Sequence, residues 1–71
     1  MNRRTLIHRI AGEAQRKELR WELAREGANH SIFDLDGLLV TVPRHSELNE
    51  LTALGILKRC AEKFGPKWWR R

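Results

Sequence analysis

Apolar residues in the first part of the chain return every three or four positions, at Leu6, Ile7, Ile10, Ala11, Ala14 and Leu19, while Arg9, Glu13, Arg16 and Lys17 occupy the positions between them. This is the period of an amphipathic helix, and it predicts one over about residues 3–19 with Asn2 as N-cap. Gly12 lowers the helical propensity without interrupting the stripe. After Leu19 the period changes to two, which predicts three short strands over about 21–25, 30–35 and 38–42.

Asp36-Gly37 lies between two apolar runs, and an Asp-Gly pair there is a strong hairpin signal because both turn residues take positive φ. A two-residue turn at this point pairs Leu35 with Leu38, Phe33 with Val40 and Ser31 with Val42, and puts these side chains on one face of the sheet. The opposite face then carries His30, Ile32, Asp34, Leu39, Thr41 and Pro43. The register of the first strand stays open, since Glu26-Gly27-Ala28-Asn29 can hold a turn or a glycine bulge.

A second apolar stripe, Ala53, Ile56, Leu57, Cys60, Ala61 and Phe64, predicts a helix over about 49–64, capped by Ser46 or Asn49 and stopped by Gly65-Pro66. A basic tail with two tryptophans occupies 66–71. The expected fold class is α+β, in the order helix, three antiparallel strands, helix, with both helices on the Phe33 and Val40 face and the other face open. This order resembles a double-stranded-RNA-binding domain.

Composition narrows the function. A chain of 71 residues has room for one small core, so a single domain of modest stability is expected, and a partner protein would add what the core cannot. Fourteen Lys and Arg against nine Asp and Glu give a net charge of +5, which favours a nucleic-acid partner over a merely solubilising role. The sequence contains no apolar run of membrane-spanning length, and one cysteine suits a reducing, cytoplasmic setting.

His30 is the residue with the most chemical promise, because it opens a strand on the open face directly after a tight connection. A neutral imidazole can take the proton of a ribose 2′-hydroxyl as that oxygen attacks the adjacent phosphate. The plain alternative is a histidine that only fills a strand position. Arg25 and Arg44 bracket this strand and suit the phosphate, whose charge a planar guanidinium neutralises well, although either also reads as ordinary surface arginine. His45 is a candidate second acid or base, or a polar loop residue. Asp34 and Asp36 read as hairpin chemistry, since two carboxylates are too few for a calcium loop, and Cys60 reads as inert packing with no metal spacing around it. Trp68 and Trp69, among Lys67, Arg70 and Arg71, suit either base stacking or extension of a thin core.

From Arg20 to Lys63 the chain resembles the HicA family of type II toxin-antitoxin systems. The resemblance rests on Gly27, Asn29 and His30 in a Gly-x-Asn-His motif, on Val42-Pro43-Arg44-His45, and on Glu50, Thr52 and Ile56-Leu57-Lys58. Ala28 stands where many members have serine, and Leu51 where many have glycine. The resemblance implies a toxin that cleaves mRNA without a metal or other cofactor, with one essential histidine, matched here only by His30, and a cognate HicB antitoxin covering the active face. On that reading His30 is the general base and Arg25, Asn29, Arg44 and Lys58 are the candidates for holding RNA. The alternative is a noncatalytic RNA-binding module of the same fold.

Overall fold

In a computed structural model, which describes residues 1–70, helix α1 (Arg3–Arg16) leads into strands β1 (Trp21–Glu26), β2 (His30–Leu35) and β3 (Leu38–Pro43). Helix α2 (Glu50–Phe64) and a short 3-10 helix (Trp68–Arg70) follow. Arg71, the end of the expected basic tail, lies outside the described residues. The strands form one antiparallel sheet in the order β1-β2-β3, so the architecture is the α-β-β-β-α arrangement that the periodicity predicts.

The α1 N-terminus is capped as expected, with Asn2 Oδ1 accepting from the amides of Arg4 and Thr5 at 2.8 and 3.3 Å. Its C-terminus departs from expectation. The helix ends at Arg16 instead of Leu19, because Glu18 turns into the left-handed region (φ 57°) and the Leu19 amide folds back onto the Ala14 carbonyl at 2.8 Å. The Glu18 amide donates to Gln15 at 3.2 Å, which completes a Schellman-type stop without the usual glycine. Leu19 returns to the apolar side through this turn, so its position in the stripe mimics one more helical turn.

The Asp36-Gly37 turn has positive φ at both residues (47° and 98°), and it sets the expected register: Leu35 opposite Leu38, Phe33 opposite Val40, Ser31 opposite Val42 and His30 opposite Pro43. Leu35, Val40 and Val42 are buried against Leu6 and Ile10 of α1 and Ile56, Leu57 and Cys60 of α2. Each fully buried aliphatic side chain of this kind contributes about 1.5–3 kcal/mol. Asn49, not Ser46, caps α2, its Oδ1 accepting from the Thr52 amide at 2.8 Å. Ser46 instead accepts the Arg3 amide at 2.9 Å, which ties the chain start to the connection between β3 and α2.

The tail folds back. Trp68 is buried, its indole N–H donates to the Leu57 carbonyl at 2.8 Å, and its ring meets Phe64 edge-on at 4.7 Å. Of the two roles open to this residue, the structure assigns it to the core. Burial likewise pushes the Cys60 thiol up to about 12, so at neutral pH it stays protonated and acts as packing.

Asp34 supports the hairpin from outside. Its Oδ1 accepts the Gly37 amide at 2.7 Å and its Oδ2 meets Arg20 at 3.1 Å. The Gly37 hydrogen bond first, and Arg20 second, hold this carboxyl below the usual carboxylate range. A depressed folded-state value means that the carboxylate stabilises the fold above the unfolded value of about 3.9, and that this contribution is lost as pH falls through the folded value. Asp34→Asn keeps an acceptor for Gly37 but cannot titrate, so its stability should decline less on acidification below about pH 4 than that of the wild type. Urea midpoints across that range check this, and parallel declines would refute it.

Candidate active face around His30

Both helices pack on the Ser31, Phe33 and Val40 side of the sheet, and the other side has no covering element among the described residues. His30, the first residue of β2, is exposed on that open side, where the pairing also puts Ile32, Leu39, Thr41 and Pro43. His30 lies directly opposite Pro43, as the two-residue turn predicts.

β1 required the structure to settle it. Trp21, Glu22 and Leu23 pair with Leu35, Asp34 and Phe33, but the register then slips, and Arg25 pairs with Ile32. Without this bulge at Ala24, Arg25 would face the helices; with it, Arg25 stands on the His30 face, as the diagonal neighbour of His30. Diagonal partners across an antiparallel pair lie about 7–8 Å apart, within reach of a long side chain. Arg25 is exposed and makes no side-chain hydrogen bond or ion pair among the described residues, so its guanidinium is available to an anion held at His30.

The turn before His30 is built tightly. The Gly27 amide donates to the His30 carbonyl at 2.8 Å, leaving Ala28 and Asn29 as a two-residue loop. A Cβ on Gly27 would stand 3.3 Å from that same oxygen, so glycine permits the close approach. Arg44 clamps the loop from the far strand. Its Nη2 donates to the carbonyls of Gly27 and Ala28, its Nη1 lies 3.6 Å from Glu26 Oε1, and its own amide donates to Asn29 at 3.1 Å. The expectation that Arg44 contacts phosphate thus meets a residue already engaged in shaping the turn before His30.

Beneath the turn the clamp continues inward. Buried Ser31 donates to Glu26 Oε1 at 2.7 Å and accepts from Arg3 Nη2 at 2.9 Å, while Arg3 Nε donates to the Pro43 carbonyl at 2.8 Å. The His30–Pro43 pair is therefore anchored to the first turn of α1. Periodicity alone could not reveal Arg3, Glu26 and Ser31 as a unit, because Arg3 is 28 and 40 residues away from its two partners and Glu26 reaches Ser31 only through the bulge.

Arg44→Lys keeps the charge but cannot donate through a fork to two carbonyls. The variant should speed hydrogen exchange at the Gly27 amide by roughly tenfold, in line with about 1.4 kcal/mol of local stability, while the helix amides exchange as before. Exchange at Gly27 unchanged from wild type would contradict the clamp.

Asn29 lies exposed in the loop with its side chain free of partners among the described residues. His45 is exposed beyond the end of β3, where the pleat no longer sets its direction, and is likewise unpartnered among them. Lys58 belongs to α2, in the helix layer across the sheet from the His30 face, and is not brought beside His30. Among the described residues, no group of His, Cys, Asp and Glu side chains has the geometry to hold a metal ion, and no helix is long and apolar enough to cross a membrane.

Compared with known protein families, with curated proteins and with solved structures, the chain matches none of them.

Proposed function

We propose that this chain is a HicA-type toxin, an endoribonuclease that cleaves mRNA in the cytoplasm and is neutralised by a HicB-type antitoxin. The observation that carries the reading is an exposed histidine on a sheet face that is uncovered among the described residues, with an arginine diagonal to it that has no partner among them and a clamped turn behind it. The charge of +5 and the Gly27-x-Asn29-His30 spacing support the same reading.

In the proposed reaction His30 takes the proton of a ribose 2′-hydroxyl as O2′ bonds to the adjacent phosphorus. The bond from phosphorus to the 5′-oxygen of the next nucleotide breaks, and that oxygen takes a proton from a general acid, for which His45 or water is the candidate. The products are a 2′,3′-cyclic phosphate and a free 5′-hydroxyl. Because the ribose supplies its own nucleophile, the chain has to provide only a base, an acid and positive charge for the phosphorane. Arg25 suits the last task by position, and Asn29 suits a hydrogen bond to the bound strand. The apolar Ile32 next to His30 and the half-exposed Leu39 farther along the same face suit coverage by an antitoxin, which would block the RNA at the same time.

The noncatalytic alternative uses the same basic surface to hold RNA intact. Incubating end-labelled mRNA with the purified chain separates the two. Fragments ending in 2′,3′-cyclic phosphate are expected, whereas intact RNA retained in a salt-sensitive complex by folded protein would favour a binding module.

A further inference from the structure

A cleft of about 360 Å³ opens at the end of the sheet, between the first turn of α1 and the connection that leaves β3, and it is lined by Asn2, Arg3, Arg4, Arg44 and Ser46. Three arginines line it and no carboxylate is among the lining residues. Outside the cleft Arg16, Arg20 and Arg59 are each answered by an acid, Glu13 at 3.2 Å, Asp34 at 3.1 Å and Glu62 at 3.6 Å, whereas Arg25 is not among the described residues. Among the described residues Arg44 is the one arginine of the cleft in a direct ion pair, with Glu26 at 3.6 Å. Arg3 donates to neutral oxygens, the Pro43 carbonyl and the Ser31 hydroxyl, and meets an acid only indirectly, because Ser31 in turn donates to the Glu26 carboxylate that also faces Arg44. The Arg4 side chain is exposed and has no hydrogen-bond or ion-pair partner among the described residues.

The cleft is joined to the His30 site through two residues. Pro43, the strand partner of His30, gives its carbonyl to Arg3, and Arg44 both lines the cleft and clamps the loop that presents His30. A single strand that crosses the end of the sheet from the open face therefore meets His30 and Arg25 first and the three-arginine cleft next. We propose that this cleft is a subsite for a backbone phosphate of single-stranded RNA neighbouring the phosphate at His30, with Arg4 as its free contact and Arg3 and Arg44 as fixed positive charge. The proposal rests on the ribonuclease reading, and it assigns Arg4 a role in holding the substrate in register, not in the chemical step. Fixed guanidinium groups lose little freedom on binding, so two of the three charges are already oriented when the strand arrives.

The test measures binding of single-stranded oligoribonucleotides of increasing length by fluorescence anisotropy over a range of salt concentrations, with His30→Ala protein so that the RNA persists. Adding Arg4→Gln should weaken binding about fivefold to tenfold and flatten the salt dependence by about 0.7, the slope carried by one phosphate contact on a single strand. The effect should vanish for a dinucleotide too short to reach from His30 into the cleft. Arg4→Lys should restore most of the slope, and Lys67→Gln, a loss of equal charge in the distant tail, should leave it unchanged. Melting curves that coincide for all variants exclude a folding effect at this exposed position. RNA bound equally well, and with equal salt slope, by the Arg4→Gln protein would remove the subsite and leave the ribonuclease reading intact. Absence of RNA binding by every form of the protein would remove both.

Discussion

Replacing His30 with alanine is expected to lower RNA cleavage by about 10²–10⁴-fold, the range that a positioned general base contributes. The same change should shift unfolding stability by no more than about 0.5 kcal/mol, because the ring is exposed and the turn it follows is held by backbone groups and by Arg44. This separation makes the experiment decisive, since loss of activity cannot then be ascribed to loss of fold. His30→Gln preserves a polar side chain of similar reach without a basic nitrogen, and it should be as inactive as the alanine variant. Cleavage at wild-type rates by either protein would end the assignment of His30 as base.

The largest effect on stability is expected at Trp68. Truncation of a buried tryptophan to alanine costs about 3–5 kcal/mol, and a core of this size supplies a comparable total. Trp68→Ala should therefore be substantially unfolded near body temperature, with a broad, early melt by circular dichroism. The loss has three parts: apolar area against α2, the edge contact with Phe64 and the hydrogen bond to Leu57. Trp68→Phe isolates the last, since it retains a ring without the donor, and should cost about 1–2 kcal/mol. Trp69 is only half-buried, its ring touching Trp68 at 6.3 Å, and Trp69→Ala should melt much closer to wild type. A Trp68→Ala protein with an unchanged melt but weakened RNA binding would return this residue to the base-stacking role.

Much of this architecture is written locally. The period of three to four residues in α1 and α2, the period of two in the strands and the Asp36-Gly37 turn each depend on neighbours in sequence, and each appears as the pattern predicts. The exposure of His30 follows from the same arithmetic, because a two-residue turn leaves no choice about which side of the β2–β3 hairpin position 30 occupies. The end of α1 was less legible. Glu18 adopts a left-handed conformation that glycine or asparagine would have advertised, and Leu19, returned to the core by the turn, keeps the helical spacing.

The amino-acid order by itself determined the elements, the α1 cap at Asn2, the β2–β3 register and the side of the sheet from which His30 projects, and it narrowed the α2 cap to Ser46 or Asn49. Tertiary structure alone decided that β1 bulges at Ala24 and so brings Arg25 to His30, that Arg44 is a clamp on the Gly27-Ala28 loop, that Arg3 joins Ser31 to the strand end, and that Trp68 closes the core. The division has a physical cause. Periodicity and turn chemistry act over a few residues, while a bulge, a guanidinium fork and a folded-back indole are selected by partners distant in the chain, whose nearness exists only once the sheet and helices have packed.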